Sequence, residues 1–387
     1  MMVNREIAGA MKQLAEKYPI IALTGPRQSG KTTLAKMTFP DYYYLDLENL
    51  NTRRAAKEDP SSLFANKQAD YIVDEFQYAP ELLSTIKSIS DEVQKETQFI
   101  LTGSNQFTLM KDISQSLAGR SAIMELLPFS LQEAYPKEKQ SLNTCIFRGF
   151  YPRLLVHNIE PTVFYDSYIR TYLQRDIRLL SNIQNLDDFT RFLSLCAGRT
   201  GSLLNKESLA NEIGVDSKTI GNWLSVLQTS YIIYLLKPWQ KNISKRLIKS
   251  PKLYFYDTGL ACNLLQIRNE TDLANHPLRG NLFETFILSE VLKFFHNRCI
   301  QPPLSFYRES NGTEIDLLIE KGNLIYPLEI KSASVINNSF YRNILKLSKS
   351  NLPLGKARIV YGGNQTWEND ICKHIGWQDL SSSLTLL

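Results

Sequence analysis

The sequence predicts an α/β protein with a parallel sheet at its amino end, a helical and winged-helix middle, and a carboxyl-terminal domain of element order αβββαβ. Three observations predict it. Short apolar, β-prone runs alternate with helical stretches through residues 1–135, the signature of a parallel sheet covered on both faces. Two short helices and two aromatic strands follow between residues 206 and 256. From Gly280 the pattern changes again, to a long amphipathic helix and then strands.

The first strand–helix pair carries the strongest signal. Pro19-Ile20-Ile21-Ala22-Leu23-Thr24 is apolar and β-prone, and Thr33-Leu34-Ala35-Lys36-Met37 can run as a helix. Between them stands Gly25-Pro26-Arg27-Gln28-Ser29-Gly30-Lys31-Thr32, which fits the phosphate-loop pattern G-x-x-x-x-G-K-[ST] at every position. The glycines let the backbone wrap around phosphate oxygens, and successive N–H groups with the helix N-terminus face the anion. Candidate nucleotide-binding residues are Gly25, Pro26, Arg27, Gln28, Ser29, Gly30, Lys31, Thr32 and Thr33. Lys31 is placed to reach the β- and γ-phosphates of ATP, and Thr32 to offer a hydroxyl to Mg²⁺. A mere glycine-containing turn would have to match all of this by coincidence.

Residues 42–48 supply another strand, and Tyr71-Ile72-Val73-Asp74-Glu75 a short apolar strand ending in two carboxylates. Asp74 is the expected Mg²⁺ holder and Glu75 the residue that orients and activates the attacking water, because ligands of open α/β sheets bind at the strands' carboxyl ends. A buried strand followed by a solvated acidic turn is the plainer reading. Residues 98–102 form a further strand leading into Gly103-Ser104-Asn105, where Ser104 or Asn105 could sense the γ-phosphate or simply close a turn. Arg120, in Ser116-Leu117-Ala118-Gly119-Arg120, is a candidate to stabilise charge on the transferred phosphoryl group, in its own subunit or in a neighbour's within a homo-oligomer. It also reads as a surface residue at a helix end.

Six segments resemble a prokaryotic AAA-type ATPase family whose members carry a long C-terminal region originally catalogued as a domain of unknown function. They are residues 23–33, 101–104, 116–120, 149–152 (Gly149-Phe150-Tyr151-Pro152), 171–177 and 252–260 (Lys252-Leu253-Tyr254-Phe255-Tyr256-Asp257-Thr258-Gly259-Leu260). The resemblance covers nearly the whole chain. It implies an ATP-binding core, a helical and winged-helix middle and a nuclease-like end, and it supplies no defined cellular role.

In the middle region, Phe164, Tyr168, Tyr172, Leu173 and Ile177 fall near one face of a helix within residues 161–180, with Arg175 and Asp176 beside them. A helix salt bridge is the ordinary reading of that pair, and a contact to nucleotide the sharper one. Residues 206–213 and 216–228 read as two helices around Gly214-Val215, the second capped by Asp216 or Ser217. Strands at 231–236 and 252–256 then complete a winged helix. Lys218 and Asn222 could face a DNA groove, and Lys241, Lys245, Arg246, Lys249 and Lys252 could meet phosphates. A packing module with solvated lysines is the alternative.

In the last part, a helix over residues 280–292, strands over 304–308, 314–319 and 324–330, a helix over 342–347 and a strand over 357–361 resemble the PD-(D/E)xK nuclease fold. That resemblance implies Asp316 and Glu329 as ligands of a divalent metal, Lys331 as the catalytic lysine and Glu284 as an accessory ligand. Lys331 follows Glu329 by two positions and so shares its sheet face. Glu290 on the same helix competes with Glu284 for the accessory role. A nuclease fold kept only for binding is the other reading.

Composition agrees with these assignments. The 387 residues are 43% hydrophobic and 21% charged, with a net charge of +5 that permits an acidic partner without demanding one. Five scattered cysteines and four histidines form no zinc or disulfide pattern and suit a cytoplasmic, reducing location. No apolar run is long enough to span a bilayer, so no membrane partner is expected. The expected division is an ATPase domain at 1–135, a helical and winged-helix region at 136–275 and a nuclease-like domain at 276–387. The leading functional expectation is an ATP hydrolase acting on nucleic acid, DNA before RNA. The rivals are an ATP-controlled regulatory switch and a DNA-binding protein with a non-catalytic nuclease-like fold.

Overall fold

A computed structural model describes residues 3–103, 117–172, 185–239, 250–309 and 312–385. The first domain is a five-stranded sheet of β1 (Ile20–Thr24), β2 (Tyr43–Asp46), β3 (Tyr71–Asp74), β4 (Phe99–Thr102) and β5 (Ser121–Glu125) in the order β2-β3-β4-β1-β5. Every pairing is parallel. β1, β3 and β4 are buried at every position, as parallel strands covered on both faces must be, and this explains their unbroken apolar sequences. One hydrophobic cluster around Val73, Phe76 and Ile86 fills one face, and another around Ile7, Leu23 and Leu34 fills the other.

The middle region is largely helical. Helices Lys206–Ile213 and Ser217–Thr229 stand where the sequence predicts them, and the Asp216 side chain caps the second by accepting from Thr219 N at 2.8 Å. They pack beside an antiparallel sheet of β6 (Ser202–Leu203), β8 (Lys252–Phe255) and β7 (Ile233–Leu236), in that order.

The last part is a mixed six-stranded sheet. It contains β9 (Leu304–Arg308), β10 (Glu314–Lys321), β11 (Leu324–Lys331), β12 (Ala357–Tyr361), β13 (Trp367–Glu368) and β14 (Cys372–Gly376), in the order β13-β14-β12-β11-β10-β9. β9, β10 and β11 run antiparallel, and β12 and β14 add in parallel. Helix Arg279–His296 packs on this sheet, with Phe286 and Trp377 in edge contact. The predicted element order is present; β13, β14 and the closing helix Leu380–Thr385 extend it.

The middle and last parts share one core, while the buried residues of a second cluster, around Ile315, Phe340 and Ile359, belong to the last part alone. One continuous cluster runs from Leu127 and Phe150 through Phe192, Trp223 and Phe255 to Phe286, Leu328 and Trp377. A strand or helix moved in one part therefore loads the other, because close-packed interiors transmit displacement. Cys145, Cys196, Cys262 and Cys372 are buried free thiols, and Cys299 is exposed. Among the described residues no helix is long and apolar enough to cross a membrane.

Candidate functional site

The carboxyl ends of β1 and β3 place the phosphate loop and the paired acids side by side. Gly25 follows β1 at φ +140°, and a Cβ there would lie 2.2 Å from the Leu126 carbonyl oxygen, so only glycine fits. Gly30, at φ +92°, turns the chain into helix Lys31–Thr38. The Ser29 hydroxyl oxygen is buried within this loop without a hydrogen-bond partner among the described residues. A buried polar atom of that kind asks for a polar ligand. The Arg5 guanidinium holds the loop from behind, donating to Ser29 O at 2.8 Å and Leu127 O at 2.6 Å, and pairing with Glu133 at 3.0 Å.

Lys31 is buried and donates to the Gly25 and Pro26 carbonyl oxygens at 3.0 and 2.9 Å. Burial pulls its pKa down to about 8, against the raising influence of Glu75 and Asp74. Phosphate binding needs the ammonium, so ATP affinity is expected to fall as pH rises past about 8, by up to a decade per unit. A dissociation constant measured from neutral pH into the alkaline range checks this, and a flat profile contradicts it.

Asp74 is the convergence point. One carboxylate oxygen accepts from Thr32 Oγ1 and from the Tyr44 hydroxyl, each at 2.8 Å, and the other accepts from Thr102 Oγ1. Three strands and the loop helix thus fix one acid. Glu75 adopts a left-handed conformation at φ 52°, accepts from the Gln77 amide and has its pKa raised, by burial first. Thr32 and Asp74 fit a Mg²⁺ ion, and the glycine cradle with Lys31 and Ser29 fits a polyphosphate. Bound Mg²⁺ supplies charge neutralisation on the phosphates.

The wall beyond Ser29 and Gly30 opens into a cavity of about 540 Å³, within the range of small-molecule sites. It is lined by Asn4, Ala8, Thr33, Leu34, Met37, Pro152 and Val156, among others. Residues from the amino-terminal segment and from helix Pro152–Val156 meet only in the fold, and sequence reading gave neither a role here.

Other candidates fare differently. Arg120 stands at the amino end of β5, which runs parallel to β1 with Ser121 opposite Ile20 and Glu125 opposite Thr24. It is therefore at the edge opposite the phosphate loop, roughly 15 Å of strand away, and it pairs with Asp91 at 2.6 Å. The expectation that it serves its own subunit's nucleotide is corrected on that ground; the neighbour's remains. Ser104, Asn105, Arg175, Asp176, Lys241, Lys245, Arg246 and Lys249 lie outside the described residues. Arg27 lies over the Tyr172 ring, 5.4 Å from its centroid.

In the last part the fold brings Asp316, Glu329 and Lys331 together. Leu317 pairs with Leu328, so Asp316 and Glu329 come next on adjacent strands. Lys331 Nζ contacts Glu329 at 2.6 Å and Asp316 at 3.1 Å, and Ile330 N donates to Asp316 at 2.8 Å. Burial pushes Glu329 up to about 8, while the lysines hold Asp316 low despite its burial. Glu284 joins through Lys252 at 3.2 Å and through the Tyr254 hydroxyl. Glu290 instead accepts from Leu131 N at 2.8 Å and pairs with Lys293 at 2.7 Å, which assigns it to domain packing. As arranged, this cluster does not fit a metal: ammonium groups stand among the acids, and among the described residues no three acidic, cysteine or histidine side chains converge as ligands.

Residues 17–135 match the family model described as an AAA domain. The first domain is of the P-loop AAA ATPase type. Residues 139–271 and 279–378 match two models, each described as a domain of unknown function. An uncharacterized protein of Mycobacterium tuberculosis is 29% identical over 93% of this chain and 80% of its own length. An uncharacterized protein of Methanocaldococcus jannaschii is 21% identical over 82% of this chain and 75% of its own. Among solved structures, the Walker-type ATPase of Pyrococcus abyssi covers 67% of this chain and 94% of its own at 16% identity, with a TM-score of 0.44.

Proposed function

We propose that this protein is a Mg²⁺-dependent ATP hydrolase that acts on nucleic acid, DNA before RNA, through three parts at residues 1–135, 136–275 and 276–387. One observation carries the hydrolase reading: Asp74 is locked by Thr32, Tyr44 and Thr102 beside Lys31 and Glu75. In it, the loop N–H groups and Lys31 bind and orient the phosphates, Thr32 and Asp74 hold Mg²⁺, and Glu75 takes the proton of the attacking water. The apolar cavity beside the loop takes the base and sugar. Arg120, half-buried at the far end of β5 and paired with Asp91, serves a neighbouring copy in a homo-oligomer.

The nucleic-acid reading is supported by the middle helix pair, which as a winged helix presents exposed Lys218 and Asn222 on helix Ser217–Thr229. It is supported too by the nuclease-like placement of Asp316, Glu329 and Lys331. A second reading, an ATP-controlled switch that cuts no strand, is favoured by the ammonium groups among those acids. The test is ATP turnover by the full chain, with Mg²⁺ or chelator, and with or without double-stranded DNA. Mg²⁺-dependent turnover stimulated by DNA is expected. Absence of turnover overturns the hydrolase, and indifference to both DNA and RNA overturns the nucleic-acid role. Metal-dependent DNA cleavage lost in Lys331→Ala would separate the two readings.

A further inference from the structure

Strand β8 belongs to the middle region, yet its first residue sits inside the acid cluster of the last part. Lys252 is 3% exposed, its ammonium pairs with Glu314 at 2.6 Å and Glu284 at 3.2 Å, and the same nitrogen lies 5.5 Å from the Phe306 ring centroid. Tyr254, two positions on and therefore on the same strand face, donates to the same Glu284. The junction is fixed by backbone. Trp239 N donates to Phe306 O at 2.7 Å and Phe306 N to Lys237 O at 3.1 Å, which joins the end of β7 to β9. Since β8 pairs with β7 along its length, that joint sets Lys252 over the cluster.

The charge balance is informative. Glu284, Glu314, Asp316 and Glu329 meet Lys252, Lys331 and Arg308, the last pairing with Glu314 at 3.3 Å. A buried ammonium is costly unless paired, and here it is held by two carboxylates where a divalent ion would otherwise neutralise them. The second oxygen of Glu329 is buried and lacks a hydrogen-bond partner among the described residues, so the cluster is not satisfied by its lysines alone.

We propose that Lys252 is an internal counter-ion that stands in place of a divalent metal among Glu284, Asp316 and Glu329, so that the cluster as folded excludes the ion. The middle region thus supplies a cation to the last part's acid cluster, and the inference rests on reading that part as nuclease-like. Lys252 and a metal exclude one another because both need Glu284.

The experiment is Mn²⁺ titration followed by electron paramagnetic resonance, on the nucleotide-free full chain. Wild type and Lys252→Arg, which keeps the cation, are expected to show no Asp316-dependent Mn²⁺ site. Lys252→Gln is expected to bind Mn²⁺ at least about tenfold more tightly, because a unit positive charge has left a carboxylate cluster of low effective dielectric. The gain is expected to vanish in Lys252→Gln/Asp316→Asn. Lys252→Met, an uncharged side chain of similar length suited to a buried strand, stands in should the glutamine variant fail to fold. Mn²⁺ binding by wild type that is lost in Asp316→Asn overturns the exclusion while leaving the metal-centre reading intact, and it needs no Lys252 variant. A folded Lys252→Gln that gains nothing, with wild type also silent, overturns the exclusion and the metal-centre reading together.

Discussion

Lys31→Ala is expected to lose ATP turnover by about 10²–10³-fold or more, the scale for removing one fixed charge donor from a transition state, and to weaken nucleotide binding with it. Glu75→Gln is expected to lose turnover by about 10²–10⁴-fold, the scale for a positioned general base, while nucleotide binding survives. The difference follows from where each group points. Lys31 is buried against the loop carbonyls of Gly25 and Pro26, in the space a phosphate enters, so its loss is felt on binding. Glu75 turns away from β3 in a left-handed conformation, beside Asp74, with its pKa raised by burial. A carboxylate of raised basicity accepts a proton better, and its amide replacement keeps shape and hydrogen bonding while removing that capacity. Steady-state phosphate release and fluorescent-nucleotide binding on the two variants separate the roles. Equal loss of binding in both would mean Glu75 supports the loop rather than the water.

The phosphate loop was legible because its information is contiguous: strand, glycines, lysine and helix lie within twenty residues of one another. Asp74 stands out in the sequence only in company: after a phosphate loop, an apolar strand that stops on an acid puts that acid at the ligand-binding edge of the sheet. Whether Arg120 faces its own nucleotide or a neighbour's is open in the sequence for a related reason. Proximity to a nucleotide depends on which end of β5 the residue occupies, and strand direction is set by crossover topology rather than local composition. The Glu-x-Lys pair on β11 is readable from alternation alone, whereas the sequence offers Lys252 as a phosphate contact or a solvated lysine and gives no sign of its acidic partners. Its partners are 32 and 62 positions away, on another part's helix and strand. The signal that was available is Lys252-Leu253-Tyr254: two polar-tipped side chains on one face of an otherwise buried strand, which need partners. β14 escaped notice because Cys372-Lys373-His374-Ile375-Gly376 has little β character, and its place is earned by pairing with β12.

The largest stability effect is expected at Asp257, a residue that chemistry-led reading passes over. Its buried carboxylate accepts from Phe150 N at 2.7 Å, the Tyr165 hydroxyl at 2.6 Å and Leu260 N at 3.1 Å. Gly149 and Gly259 are glycines because of this knot: a Cβ on either would lie 2.2 and 2.4 Å from the Tyr165 hydroxyl oxygen. Gly149-Phe150-Tyr151 and Asp257-Thr258-Gly259 are thus two halves of one joint, not separate motifs. Asp257→Ala removes three hydrogen bonds to a carboxylate and strands their donors in the core, at about 1.5–3 kcal/mol each. The total, on the order of 5 kcal/mol, is a large part of a typical domain's stability. Asp257→Asn is expected to recover part of it, since one amide oxygen still accepts while the NH₂ group faces a donor. The joint also seats helix Pro152–Val156, which walls the cavity beside the phosphate loop, so nucleotide affinity should fall with stability. Urea unfolding midpoints and nucleotide binding on the two variants check both links. A loss below about 1 kcal/mol for Asp257→Ala, the ordinary cost of a lost helix cap, would mean that Phe150 N and the Tyr165 hydroxyl find other partners and that the joint does not hold the cavity wall.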